Sequence, residues 1–130
     1  MILKNDFYTV VHFSEENDTI RAMLELNAAH RIFEGHFPAQ PVVPGVCMIQ
    51  MVKELLETAM GKRMLLRQSD HIKFLSVIDP TQHKPVHAEI RYSNTAGNEW
   101  QVAASLHCGE TVCFKLKGIF ATNLGSLQAG

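Results

Sequence analysis

Gly35-His36-Phe37-Pro38, followed by Pro41, Pro44 and Gly45 at the start of a long apolar helical pattern, joins a titratable imidazole, a stiff loop and a helix N-terminus. Prolines at positions 38, 41 and 44 fix φ and limit how far the loop can carry His36 away. The amides of Gly45 and Val46 open the helix without partners and suit an oxygen that gathers negative charge. An imidazole beside main-chain donors is the equipment for activating a carbonyl: one group moves a proton, the others hold the developing oxyanion. Gln50 is the sole polar interruption between Val46 and Val52, and a lone amide in an apolar run calls for a buried partner or a polar cleft. Phe33 and Phe37 flank the loop and suit either the wall of an acyl channel or core packing, an ambiguity that Met48 and Met51 share.

The elements that must position these residues follow from periodicity. Phe7 to Phe13 is rich in β-branched and aromatic residues, and beyond Asn17-Asp18 the residues Ile20, Ala22, Leu24 and Leu26 recur at period two, which predicts a hairpin of two strands. Asn27 to Pro44 has no sustained period and reads as an ordered loop. From Gly45 the positions Val46, Met48, Ile49, Val52, Leu55, Leu56 and Ala59 follow helical spacing, with Pro44 suited to the first turn and Gly61 to the stop. The first half of this helix, apolar on nearly every side, is expected to be buried, and the second half, with Lys53, Glu54, Glu57 and Lys62, to be amphipathic. Strands are predicted again at Met64 to Arg67, Ile72 to Leu75, Val86 to Tyr92, Trp100 to His107 and from Val112 through Leu116, with a turn at Asn94 to Asn98. Gly109-Glu110 suits a two-residue hairpin that pairs Cys108 with Thr111, not with Cys113. One long buried helix and about six hairpin-linked strands make an α+β architecture, an antiparallel sheet wrapped around the helix.

Composition narrows the partners. The chain has 130 residues, a formal charge of -1 and no linker, repeat or low-complexity tract, so residues 1–130 read as a single domain. Its cations are scattered and not massed into a stripe, which argues against nucleic acid. No apolar run reaches membrane-spanning length and the N-terminus lacks a secretory pattern, so the expectation is a cytoplasmic protein with no membrane partner. Cys47, Cys108 and Cys113 are an odd count without metal-ligand pairing, expected as reduced thiols. His12, His30, His71, His83, His87 and His107 lack the spacing of a zinc site, and no metal or other cofactor is expected.

The segment Phe33-x-Gly35-His36-Phe37-Pro38-x-x-Pro41-x-x-Pro44-Gly45-Val46 resembles, densely and without gaps, the signature of the hotdog-fold (3R)-hydroxyacyl-ACP dehydratases of fatty-acid biosynthesis. Ile72-Lys73-Phe74-Leu75 with Asp79-Pro80, followed by two long strands, resembles that family's C-terminal half more weakly. The resemblance implies the hotdog fold, a lyase acting on a thioester carried by acyl carrier protein, and a homodimer or higher oligomer. It also implies catalytic roles for His36 and the residue at position 50, with the amide at Gly45 binding the thioester oxygen beside Val46, Phe37 and Phe33.

At position 50, however, the family's motif has a carboxylate and this chain has Gln50. Dehydration needs a base for the C2 proton, a donor for the enolate-like oxygen and an acid to release the C3 hydroxyl as water. His36 and Gly45 suit the first two. An amide has no proton to give near neutral pH, so Gln50 can orient a hydroxyl or water but not protonate it. Glu54, one helical turn on, offers either a substitute acid about 6 Å further along the axis or a solvated helix charge. In the resembling family the histidine and helix acid of one site come from different subunits. That raises the option of a heterodimer in which a paralogue supplies the acid. The alternatives to a dehydratase are a non-catalytic or heterodimeric acyl-binding subunit and a hotdog thioesterase. Lys62, Arg63, Arg67 and Lys73 are either a docking patch for an acidic carrier or solvated charges.

Overall fold

The computed structural model describes residues 2–34 and 40–122. Six strands, β1 (Tyr8–Glu16), β2 (Thr19–Leu26), β3 (Met64–Phe74), β4 (Val86–Ala96), β5 (Glu99–Cys108) and β6 (Thr111–Thr122), form one sheet in the order β1-β2-β4-β5-β6-β3. Every neighbouring pair is antiparallel. One long helix, α1 (Gly45–Met60), connects β2 to β3 and packs across one face of this sheet. The expected α+β plan of a central helix and an antiparallel sheet of six strands is the one observed.

Turn chemistry sets the register. Asn17 and Asp18 both take positive φ, 53° and 58°, the conformation a two-residue hairpin needs, and they pair Glu16 with Thr19. The Gly109-Glu110 turn pairs Cys108 with Thr111 as expected, and all three cysteines are free thiols. Strands β4 and β5 run longer than predicted, to Ala96 and from Glu99, so only Gly97 and Asn98 remain in their turn.

The reading of the strands needs one correction. Met64–Phe74 is a single strand, not two, carried past its polar centre by register shifts between Leu66 and Gln68 and between Ser69 and His71. Bulges break the two-residue alternation on which the sequence reading depended. The strand passes so close to β6 that a Cβ at Gly118 would lie 2.5 Å from the carbonyl oxygen of Gln68, which is why glycine stands there. The loop after β2, in turn, contains a short 3₁₀ turn, Arg31–Phe33.

The helix buries Cys47, Met48, Met51, Val52, Leu55 and Leu56 against a core that includes Phe7, Ile20, Leu24, Ile90, Leu106, Phe114 and Phe120. Each such aliphatic side chain contributes about 1.5–3 kcal/mol by leaving water. Gly61, at φ 66°, closes the helix by donating its amide to the carbonyl of Glu57. Pro44 stands one residue earlier than anticipated, as the N-cap in extended conformation and not inside the first turn. Val46 departs from the expectation of burial: it is 60% exposed, on the opposite side of the first turn from the buried Cys47 and Met48.

Candidate active site at the helix N-terminus

The helix start meets the end of β3. Val43 donates its amide to the carbonyl of Ile78 at 2.9 Å, which ties the Pro41–Pro44 segment to the chain leaving β3. Pro44 accepts from the amides of Cys47 and Met48 at 3.0 and 3.3 Å, and no side chain caps the helix. The amides of Gly45 and Val46 therefore open α1 at the positive end of its dipole, the expected arrangement for an oxygen-binding site. Phe74 lies directly over Gly45: a Cβ there would stand 2.8 Å from the ring, so only glycine allows this approach. The Phe74 ring rests on Phe114, with centroids 5.4 Å apart, yet remains 55% exposed. Leu75, Val77 and Val46 are exposed in the same two segments, an apolar rim around the helix end. Beside it a cavity of about 380 Å³ is lined by Pro41, Val42, Val77, Ile78, Lys84 and Cys108.

Gln50 sits on α1 about 7.5 Å along the axis from Gly45, half-buried, and its Nε2 donates to Oε2 of Glu54 at 2.9 Å. Glu54 is not the solvated helix charge that was one of the two readings of it. It is 6% exposed and collects four donors. Leu3 N and Gln50 Nε2 reach Oε2 at 2.8 and 2.9 Å, and Lys4 N and the Tyr8 hydroxyl reach Oε1, both at 2.9 Å. Burial, followed by the charge and hydrogen bond of Glu54, drives the pKa of Tyr8 far above its ordinary value of 10.0. Sequence reading missed this network. Its one local signal was the helical spacing of Gln50 and Glu54, whereas Leu3, Lys4 and Tyr8 come from remote positions that no spacing connects.

His36 and Phe37 lie outside the described residues. Phe33 is buried against Phe7, with ring centroids 5.4 Å apart. The turn that leads to His36 is fastened by His30, whose Nδ1 accepts from the amide of Ile32 at 3.0 Å while Nε2 meets Asp6 at 3.0 Å. Among the expected site residues the structure thus brings Gly45 and Val46 to one helix end and Gln50 onto the same helix.

The four cations grouped in the sequence are dispersed. Lys62 lies over the Trp100 ring, 5.7 Å from its centroid, and Arg67 pairs with Glu99 at 2.8 Å. Lys73 instead joins a different set: it stands directly opposite Lys115, next to the pair His71 and Lys117, on the outer faces of β3 and β6. All four side chains of this set are exposed, and none of the three lysines has an ion-pair partner among the described residues. Like charges directly opposite one another oppose strand pairing, so this block favours an anionic neighbour. Burial raises the pKa of Cys47, and burial with the neighbouring Cys113 pushes that of Cys108 up to about 11, so neither thiol is activated. Among the described residues no three His, Cys, Asp or Glu side chains are placed to hold a metal ion, and no helix is long and apolar enough to cross a membrane.

Comparison with known proteins agrees with this layout. A family model described as ApeI-like, ApeI dehydratase, matches residues 12–113. The 3-hydroxyacyl-[acyl-carrier-protein] dehydratase FabZ of Rickettsia rickettsii (strain Sheila Smith) is 27% identical over 106 residues, which cover 69% of this chain and 73% of the relative. Its counterpart in Rickettsia felis is 28% identical over 104 residues, covering 68% and 72%. The dehydratase heterocomplex ApeI:P from Xenorhabdus doucetiae superposes with a TM-score of 0.71 at 19% identity, covering 87% of this chain and 96% of the other. Cj0977, a sigma28-regulated virulence protein from Campylobacter jejuni, superposes with a TM-score of 0.66 at 10% identity, covering 90% and 84%. The shared fold is the hotdog fold that the motif implied.

Proposed function

Because this chain belongs to the ApeI-like dehydratase family, we propose that it takes part in eliminating water from a (3R)-hydroxyacyl thioester, and that a partner subunit supplies the helix acid. His36 takes the C2 proton. The amides of Gly45 and Val46 hold the thioester oxygen while negative charge builds on it. The electron pair released at C2 forms the C2–C3 double bond as the C3–O bond breaks, and the hydroxyl leaves as water once an acid protonates it. Phe37 offers its ring to the acyl chain, and Phe33 backs the loop from the core through Phe7.

The observation that carries the partner reading is Gln50, an amide tied to Glu54 where an acid is needed. A general acid contributes about 10²- to 10⁴-fold to such a step, and Gln50 can only orient the hydroxyl. The Xenorhabdus doucetiae dehydratase named above is itself a heterocomplex, which favours the same solution here. The carrier-borne substrates of the Rickettsia relatives support an acyl carrier protein as the donor of the thioester. Lys73, Lys115 and Lys117 present the charge an acidic carrier would meet.

Purified chain, alone and mixed with an acid-bearing paralogue, is to be incubated with crotonyl- and 3-hydroxybutyryl-pantetheine, with hydration, dehydration and thiol release followed separately. The reading expects a complex and a dehydratase rate well above that of either chain alone. No complex and no gain would overturn the partner reading. Thiol release abolished by His36→Ala would replace it with a thioesterase, and tight acyl binding without any reaction with an acyl-binding subunit.

A further inference from the structure

We infer that Glu54 is the positioning residue for position 50: it holds the nitrogen end of the Gln50 amide, so that Gln50 enters the site as a hydrogen-bond acceptor through Oε1. The geometry admits one orientation of that amide. Both oxygens of Glu54 are surrounded by groups that can only donate there, Leu3 N, Lys4 N and the Tyr8 hydroxyl, each at 2.8–2.9 Å. Turning the Gln50 amide around would set its oxygen 2.9 Å from a carboxylate oxygen, two acceptors with no proton between them. The planar amide then carries Oε1 on the side away from Glu54. What pairs with Oε1 is a donor: an imidazole N–H, a water or a hydroxyl.

This separates two ways of using a polar residue at this depth of the helix. An acid at position 50 would give a proton to a leaving oxygen, whereas an anchored amide oxygen holds the proton of whatever lies before it. The inference leans on the dehydratase reading only for the identity of that donor; the anchoring itself stands on the four hydrogen bonds.

The same geometry constrains any acid introduced at position 50. A glutamate there would bring a second carboxyl beside that of Glu54, and two carboxyls at such separation share a proton, so one of them titrates well above the ordinary range. The other titratable or charged groups near Glu54 among the described residues are Tyr8 on β1, Lys4, whose ammonium goes to Thr58 at 3.3 Å, and Glu57 on the helix, which reaches Met64 N at 2.9 Å.

Two measurements test the inference. In wild-type protein labelled with ¹⁵N-glutamine, the Gln50 side-chain amide is expected to show one strongly deshielded, exchange-protected proton that moves when Glu54 is titrated with acid. An amide pair at solvent-like shifts, indifferent to that titration, would overturn the anchoring, and this readout needs neither activity nor a variant. In the second, the pH–rate profiles of Gln50→Glu and of Gln50→Glu with Glu54→Gln are compared using 3-hydroxybutyryl-pantetheine. The limb reporting the new acid should lie about two pH units higher in the single variant, and the coincidence of the two limbs would refute the coupling. If neither variant turns over, the dehydratase reading fails and the amide signal alone decides the anchoring.

Discussion

Replacing Glu54 by glutamine is a severe test of the network because it keeps size and shape and changes only the pattern of donors and acceptors. Four donors converge on the native carboxylate. The substituted amide would offer one oxygen, able to accept two of them, and its nitrogen would face one main-chain N–H, donor against donor, beside either the Tyr8 hydroxyl or the Gln50 amide, which can turn to accept. An unsatisfied buried donor costs about 1–3 kcal/mol. The main-chain N–H left over, Leu3 N or the part-buried Lys4 N, is the one donor that nothing local can satisfy, so the loss of stability on Glu54→Gln should be about 1–3 kcal/mol. For a chain of this size that corresponds to a fall in melting temperature of up to about 10 °C. Thermal and urea unfolding followed by far-UV circular dichroism measure it directly. A loss below about 0.5 kcal/mol, the ordinary cost of a surface change, would refute the claim that this carboxylate organises the N-terminal segment, β1 and the helix.

Other substitutions probe separate parts of the account. The pKa of Tyr8 is raised by folding, so the folded state keeps a proton that the unfolded chain releases above pH 10. The stability it contributes is thus complete below pH 10 and declines as pH rises beyond it; Tyr8→Phe should flatten that alkaline slope of urea stability, and an unchanged slope would count against it. Leu55→Ala, at a fully buried position in the middle of α1, should cost about 2–5 kcal/mol in urea unfolding, and a cost under about 1 kcal/mol would mean that the helix does not seat on the sheet as described. Gly45→Ala should depress turnover of the mixed complex with 3-hydroxybutyryl-pantetheine by about tenfold or more, because the new methyl would stand 2.8 Å from the Phe74 ring and force it to move beside the proposed oxygen-binding amides; the further change Phe74→Ala should recover part of the loss, and an active single variant would refute that crowding.

The architecture was legible because its signals are local and repeated. The alternation of Val86, Ala88 and Ile90 and the helical spacing from Met48 to Leu56 each report one buried face, and Asn17-Asp18 and Gly109 punctuate them. Legibility failed where a local rule was broken by a neighbour in space. The centre of β3 reads as polar and aperiodic because two bulges rotate it against β6, where Gly118 accommodates the close approach. Val46 belongs to the apolar run yet stands in the open, since the turn buries its other side, Cys47 and Met48, and an unbroken apolar run does not say which side that is. The uncapped helix start at Gly45 followed from Pro44 and its surroundings. Glu54 could not be read in the same way, because its partners Leu3, Lys4 and Tyr8 arrive from about fifty positions away, and a carboxylate next to Lys53 in the amphipathic half of a helix looks identical whether it faces water or four donors.

The central claim, that this chain carries the base and the oxyanion donors of a dehydratase and lacks only the acid, is tested most directly by comparing wild type and Gln50→Glu in the dehydration of 3-hydroxybutyryl-pantetheine by the chain alone. The account predicts a gain of about 10²- to 10⁴-fold on introducing the carboxyl. A folded Gln50→Glu protein that dehydrates no faster than wild type, at any pH between 5 and 9, would contradict it.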